Sequence, residues 1–163
     1  MPFKMTHVDH SLNFSPLEWE WLCAAPVYAG LTVVDAHPSG WLGTLEELKS
    51  LRQFMEGHPQ DHPLVQEVKA SILAQDLIGP ERETPFEEMR EKALFTLKKL
   101  APVLPERTDP EAHQAYLQFV KTLMLKVAGA AREGGLLGNQ TDNISVQERA
   151  VMDELCRALD PEH

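Results

Sequence analysis

The chain has 163 residues, 43% of them apolar, which is enough to build one hydrophobic core, and a second domain is not expected. Its 15 basic and 25 acidic residues give a net charge of -10, which disfavours binding to nucleic acid or to an anionic membrane. The two cysteines, Cys23 and Cys156, lie in apolar helical stretches without a framework of Cys spacings, which indicates reduced thiols in the cytoplasm. The first residues lack the apolar segment of a secretory signal.

The polar N-terminus predicts a loose arm over residues 1–14, followed by a single helical domain over 15–160. Helix one begins at Ser15-Pro16-Leu17-Glu18, with a hydroxyl at the N-cap, proline in the first position and glutamate in the third. Pro26 removes one backbone hydrogen bond within this helix and predicts a kink near Leu22. Apolar residues occupy more than one face, so we expect helix one to be central. One of its apolar stripes consists of Leu17, Trp21, Ala24, Tyr28 and Leu31.

Three further helices are predicted in the middle of the chain. Helix two runs from Thr44 to about Glu56 and is followed by a turn over residues 57–63 that contains two prolines. Helix three ends at Gly79-Pro80. Helix four begins at Thr84-Pro85 and has its apolar residues in steps of three and four, until the prolines between 101 and 105 predict a break. The apolar stripe of helix four consists of Phe86, Met89, Ala93, Leu97 and Leu100.

The last two helices complete the predicted fold. Helix five starts at Asp109-Pro110 and runs to about Glu133 with two apolar stripes, so it should also be central. Helix six covers Ser145 to Leu159. No segment has a convincing period of two, so the sequence predicts a single compact all-α domain of about six helices.

Two glycine-rich junctions indicate an internal duplication. Gly40-Trp41-Leu42-Gly43 and Gly134-Gly135-Leu136-Leu137-Gly138 each precede a Ser or Thr followed three residues later by Glu, the pattern of a capping box. Aligning Gly40 with Gly135 brings the start signals of helices one and five within one residue of each other. We therefore predict a pseudo-duplication, with repeats 15–56 and 109–159 around two central helices that pack together. A phosphate cradle is the alternative interpretation, but it usually needs a lysine or a preceding strand, and neither is present.

The second junction has a counterpart in a known family. The run Thr141-Asp142-Asn143-Ile144-Ser145-Val146-Gln147-Glu148 resembles the junction of the tellurite-resistance TerB family, in which a helix meets Asp-Gly-x-Ile-Ser-x-x-Glu and a second amphipathic helix. Asn143 stands where the family has glycine, and one residue is missing before Ile144. In the first copy, Val34-Asp35 and Thr44 to Glu47 are similar to the family pattern, whereas the segment between them differs.

This resemblance implies a compact helical domain of two similar halves that acts in a bacterial stress response and carries acidic metal ligands. Transferred position by position, the metal ligands would be Asp35, Glu47, Asp142 and Glu148. Carboxylates suit a hard divalent cation such as calcium or magnesium, with waters or carbonyls completing the shell. The alternative role of Glu47 and Glu148 is that of capping-box partners.

The histidines offer a second candidate metal site. His58, Asp61 and His62 lie within a few residues of each other and could bind zinc or nickel, although their spacing is not helical and no cysteine is nearby. A solvated turn is the favoured interpretation of this segment. No catalytic residue and no organic cofactor is assigned from the sequence.

The sequence therefore predicts a non-catalytic, TerB-like cytoplasmic protein that binds a partner protein and a divalent metal. The alternative is an enzyme or a small-molecule-binding protein with a pocket between helices one and five, walled by Trp41 and Tyr28, with His37 and Asp35 as polar groups. Trp19 lies off the main stripe, so it is either covered by the N-terminal arm or part of a contact surface, such as a homodimer interface through helix one.

Overall fold

The computed structural model describes residues 10–36, 41–78, 85–133 and 146–161 of the chain. These residues form a short 3-10 helix, His10–Asn13, and six α-helices, with no strand among them. The α-helices are α1 (Pro16–Ala36), α2 (Trp41–Phe54), α3 (Pro63–Ala74), α4 (Phe86–Arg107), α5 (Pro110–Glu133) and α6 (Val146–Leu159). The predicted all-α fold of about six helices is confirmed. In the described part of the chain, no helix combines the length and the apolar character needed to cross a membrane.

The helix α1 lies at the centre of the bundle, in contact with the five other α-helices. Its longest contact is with α4, while α2 packs mainly against α5, and α6 packs against α4 and α1. Every helix contributes side chains to one continuous core. The largest fully buried side chains are Leu22, Leu51, Met55, Leu64, Ile72, Met89, Leu97, Leu100, Leu104, Tyr116, Leu123 and Met124.

The predicted starts of α1 and α5 are confirmed by their capping hydrogen bonds. Ser15 Oγ accepts a hydrogen bond from the amide of Glu18 at 3.1 Å, and Glu18 Oε1 accepts one from the amide of Ser15 at 2.9 Å. The bond from the Ser15 amide and a hydrogen bond from Arg107 lower the pKa of Glu18. At the start of α5, Asp109 Oδ1 accepts a hydrogen bond from the amide of Ala112 at 2.8 Å. Each helix therefore begins where its sequence offers an acceptor for free amides.

The predicted start of helix two is wrong, because α2 begins at Trp41 instead of Thr44. Gly43 lies inside the first turn of α2, and the Thr44 to Glu47 segment continues the helix instead of starting it. A glycine within a helix costs only about 1 kcal/mol relative to alanine, so it does not end a helix by itself. The end of α2 comes at Phe54, and Gly57 takes a φ of 85° in the turn that follows, which glycine adopts without steric cost.

The predicted break in helix four is also wrong, because α4 continues through Pro102 and Pro105 to Arg107. Each of these prolines lacks the N–H that would bond to the carbonyl four residues earlier. Leu100 and Leu104 lie one turn apart and are both fully buried, so the apolar stripe of α4 runs past the prolines. Core packing therefore outweighs the lost backbone hydrogen bonds.

Inside α1, Pro26 leaves the carbonyl of Leu22 without its helical N–H partner. The hydroxyl of Tyr116 on α5 donates a hydrogen bond of 2.8 Å to this carbonyl, and both side chains are fully buried. Burial raises the pKa of Tyr116 well above its usual value, so the phenol keeps its proton and remains a donor. A buried polar group without a partner is costly, so this bond fixes α5 against α1 at one position.

The contacts between helices agree with two central helices, α1 and α5, which pack against each other. The helix that follows each of them in its predicted repeat packs on the other one, α2 on α5 and α6 on α1. Both glycine junctions fall wholly or partly in 37–40 and 134–145, outside the described residues, so the repeats 15–56 and 109–159 stay a prediction. Most of the predicted arm, residues 1–9, also lies outside them. Its described end, His10–Asn13, packs on α3, with the amide of Ser11 donating to Glu67 Oε1 at 3.3 Å.

Replacing Tyr116 by Phe removes the donor to the Leu22 carbonyl and is expected to lower the free energy of unfolding by about 2 kcal/mol. Urea unfolding followed by circular dichroism measures this loss. In a Pro26→Ala background, the new amide of residue 26 can bond to Leu22, so Tyr116→Phe should cost clearly less there. Tyr28→Phe, at a half-buried tyrosine of the same helix pair, is the matched control. Equal costs of Tyr116→Phe in both backgrounds would contradict the role of this bond.

Candidate functional site

The four predicted metal ligands are only partly within the described residues. Asp35 lies in the last turn of α1 and Glu47 within α2, but their side chains are outside the described part, as is the whole of Asp142. Glu148 lies in the first turn of α6, where its side chain is fully buried. Among the described residues, no group of three or more His, Cys, Asp or Glu side chains is placed to hold a metal ion. The metal set stays a prediction from the family resemblance.

In the turn between α2 and α3, the two histidines and the aspartate accept hydrogen bonds from backbone amides. His58 Nδ1 accepts from the amide of Gln60 at 3.1 Å, and His62 Nδ1 accepts from the amide of Leu64 at 3.0 Å, which caps the start of α3. Asp61 Oδ2 accepts from the amide of His58 at 2.9 Å. These donor atoms already organise the turn, which favours a structural turn over a zinc or nickel site.

Asp61 also holds a buried lysine. The ammonium of Lys69 lies 2.8 Å from Asp61 Oδ2, and the Lys69 side chain is only 5% exposed. Its Nζ lies 4.2 Å from the ring centroid of Phe54 and 5.6 Å from that of Phe119. These two rings are nearly parallel, with centroids 5.9 Å apart. The lysine therefore joins α2, α3 and α5 to the turn through one charge pair and two aromatic faces.

An open groove with a volume of about 610 Å³ lies between α1 and α4. Its walls are two rows of side chains, one from each helix. The row from α1 is Glu20, Trp21, Ala24 and Tyr28, and the row from α4 is Glu88, Glu91, Lys92, Phe95 and Thr96. We call this feature the α1–α4 groove.

Three residues of the predicted apolar stripe of α1, Trp21, Ala24 and Tyr28, line this groove instead of lying in the core. Leu17, at the N-terminal end of the stripe, is 54% exposed, whereas Leu31 at the other end is buried. Trp21 and Tyr28 between them are half-buried. Helix one is central, as predicted, but part of its apolar stripe is open to solvent.

The physical reason for the opening lies in α4. Its apolar residues Met89, Ala93 and Leu97 turn into the core, and the face next to α1 at the groove carries charged side chains that do not cover the α1 stripe. Phe95 stands among these charges and is 57% exposed. A large aromatic side chain exposed within a groove is a typical feature of an interaction site.

The charges of the groove are unequal. Lys92 Nζ lies 3.8 Å from Glu88 Oε2 and 6.0 Å from the ring centroid of Tyr28. Glu20 and Glu91 form no ion pair within the described part of the chain. Three carboxylates and the ammonium of Lys92 line the groove, and a second ammonium, that of Lys99, lies 5.3 Å from the ring centroid of Phe95. The carboxylates are still in excess, which makes the groove a site for apolar and cationic groups.

The structure also places the residues of the two remaining hypotheses. Trp19 Nε1 donates to Ser71 Oγ at 3.4 Å, and the Trp19 ring lies 6.0 Å from that of Phe14, so Trp19 packs against α3 and the chain before α1. Of the predicted pocket between helices one and five, only the side chain of Tyr28 is described, and it lines the α1–α4 groove. His37 and the side chains of Asp35 and Trp41 lie outside the described residues.

Sequence reasoning missed the α4 wall of the groove, although a signal was present. Phe95 falls two residues from Ala93 and Leu97, off the predicted stripe of helix four. A large aromatic residue off the core stripe, next to Glu91 and Lys92, is typical of an exposed contact position.

No family model matches the chain, and no match was found among curated proteins or solved structures. The fold and the groove define the class: an all-α bundle whose central helix α1 shares an open, acidic and aromatic groove with α4. The TerB resemblance of the second junction stays a prediction.

Replacing Asp61 by Ala is expected to lower the free energy of unfolding by about 2 kcal/mol, because it leaves the buried Lys69 ammonium without its carboxylate. Thermal and urea unfolding measure this loss. The double variant Asp61→Ala/Lys69→Met removes both charges and should recover a large part of the stability. If Asp61→Ala alone proves neutral, the ion pair does not hold the turn.

The predicted metal set is tested by thermal unfolding in the presence of calcium, magnesium, zinc or nickel. Binding of a metal to the folded protein raises the free energy of unfolding by about 2.7 kcal/mol at a hundredfold excess over Kd. We expect such a rise for calcium or magnesium, and its loss in Asp142→Asn. Asp153→Asn, on the exposed side of α6, is the control. The same melting temperature with and without every ion would remove the metal hypothesis.

Proposed function

We propose that the protein is a non-catalytic binding protein that holds a partner protein in the α1–α4 groove. The observation that carries this proposal is the apolar surface of the groove, in which the half-buried Trp21 and Tyr28 of α1 share one opening with Phe95 of α4, which is 57% exposed. Exposed apolar side chains on two facing elements lose contact with water when a partner covers them. The half-buried rings of Trp21 and Tyr28 supply the aromatic surface that is enriched in protein interfaces.

The dimensions of the groove favour a protein segment over a small molecule. From Glu20 to Tyr28, the α1 wall covers just over two helical turns, or about 12 Å. Small-molecule sites are concave and bury most of their ligand, with a few convergent polar groups. Here the polar groups stand along both edges, which suits an elongated partner.

The sequence supports three further parts of the proposal: a stress-response role, a bound metal ion and a cytoplasmic location. The resemblance of the second junction to the TerB family supports a bacterial stress-response role and a divalent metal ion held by Asp35, Glu47, Asp142 and Glu148. A cytoplasmic location is supported by Cys23 and Cys156, which are both free thiols. The alternative function, as an enzyme or small-molecule-binding protein, would use a cavity between α1 and α5.

The proposal is tested by affinity capture with the full chain and two charge-introducing variants. Phe95→Glu places a carboxylate in the α4 wall of the groove, and Leu125→Glu introduces a carboxylate at an exposed leucine of α5. We expect the wild type and Leu125→Glu to retain the same one or more proteins. The amount that Phe95→Glu retains should be at least tenfold lower. Quantitative mass spectrometry of the retained proteins measures this ratio, and circular dichroism confirms that both variants fold.

Retention of the same proteins at the same level by all three chains would show that the groove is not the binding surface. If the wild-type protein catalyses a reaction and Phe95→Glu catalyses it at the same rate, the alternative function would be favoured.

A further inference from the structure

We infer that the segment held by the α1–α4 groove is an amphipathic helix with lysine or arginine residues along both edges of its apolar face. This inference rests on the proposed function and names the chemistry of the partner. It follows from the charges, the aromatic rings and the shape of the groove.

The charge of the groove selects a cationic partner. Glu20 on the α1 wall and Glu88 and Glu91 on the α4 wall outnumber the cations at the groove, which are Lys92 in the α4 wall and Lys99 over the ring of Phe95. The whole chain carries a net charge of -10, so the long-range field attracts the same kind of partner. Lysine or arginine residues on either edge of a bound helix would reach carboxylates on both walls.

The position of Lys92 shows how the groove accommodates a cation. Its ammonium lies between a carboxylate, 3.8 Å from Glu88, and an aromatic face, 6.0 Å from the centroid of Tyr28. A partner cation can take the same place, because Lys92 is exposed and its ammonium can turn on its long aliphatic stem into solvent. The protein therefore holds one of its own cations where the partner's cation would bind.

The shape of the groove selects a helix. Glu20, Ala24 and Tyr28 follow each other in steps of four on α1, as do Glu88, Lys92 and Thr96 on α4. Side chains with this spacing form ridges on a helix surface, and the side chains of another helix pack into the grooves between such ridges. The apolar anchors of such a helix would contact Trp21 and Phe95, as in other helix-in-groove complexes.

A second copy of this chain fits the groove less well. A twofold dimer brings the same surface of each copy together, so Glu20, Glu88 and Glu91 of one copy would face the carboxylates of the other. Like charges in an interface disfavour association. A basic segment of a different protein is therefore the inferred occupant.

The test uses three synthetic peptides of about 14 residues and the full chain, with isothermal titration calorimetry as the readout. The basic peptide has leucines on one helical face and lysines at its edges, the acidic peptide has glutamates in place of the lysines, and the third has serines in place of the leucines. We expect only the basic amphipathic peptide to bind below about 1 mM, and its binding to weaken as salt is raised.

A matched pair of triple variants tests where the charge acts. Glu20→Gln/Glu88→Gln/Glu91→Gln neutralises the groove and should weaken the basic peptide about tenfold. Glu56→Gln/Glu111→Gln/Asp153→Asn changes the net charge by the same amount at exposed positions outside the groove and should leave the affinity within about twofold.

The outcomes separate this inference from the proposed function. Equal weakening by both triple variants, tight binding of the acidic peptide, or no binding of the basic peptide would each overturn the basic-helix inference. If capture of a partner still depends on Phe95 in those cases, the proposed function stands. If Phe95→Glu changes neither capture nor peptide binding, both fail.

Discussion

The hydrogen bond from Tyr116 to the carbonyl of Leu22 is the constraint on which the bundle depends. Pro26 opens the hydrogen-bond ladder of α1 within the core, where water is not available to replace the missing donor. The buried phenol of α5 supplies that donor at 2.8 Å and so sets the position of α5 along α1. The two central helices are thus joined by a directional bond as well as by apolar packing.

The position of α1 explains why the groove lies beside α4. One side of α1 is fixed to α5, and its longest contact is with α4, whose apolar row faces the core. Trp21, Ala24 and Tyr28 of the stripe then share the groove with Phe95, Thr96 and charged side chains of α4. The helix α1 is apolar on nearly all sides, so it lies at the centre of the bundle although one part of its surface stays exposed. That part leaves aromatic surface for a partner.

The polar groups of the α2–α3 turn and those of the α1–α4 groove differ in their partners. The turn between α2 and α3 is fastened by Asp61, Lys69 and two histidine nitrogens. Its polar groups are directed at the protein's own backbone and side chains, so its histidines and carboxylate serve the fold. Glu20 and Glu91, by contrast, line an open groove and form no ion pair with the described residues, so their carboxylates can bind an external cation.

The sequence by itself determined the helical class, the six helices and the starts of α1 and α5, because capping residues and apolar periodicity act within a few residues of chain. It did not determine that α4 passes two prolines or that α2 begins at Trp41, since core packing and neighbouring helices decide such boundaries. Only the tertiary structure decided which apolar stripe of α1 is covered. Periodicity shows that a face is apolar, but the neighbour that covers it, or leaves it open beside Phe95, comes from a distant part of the chain.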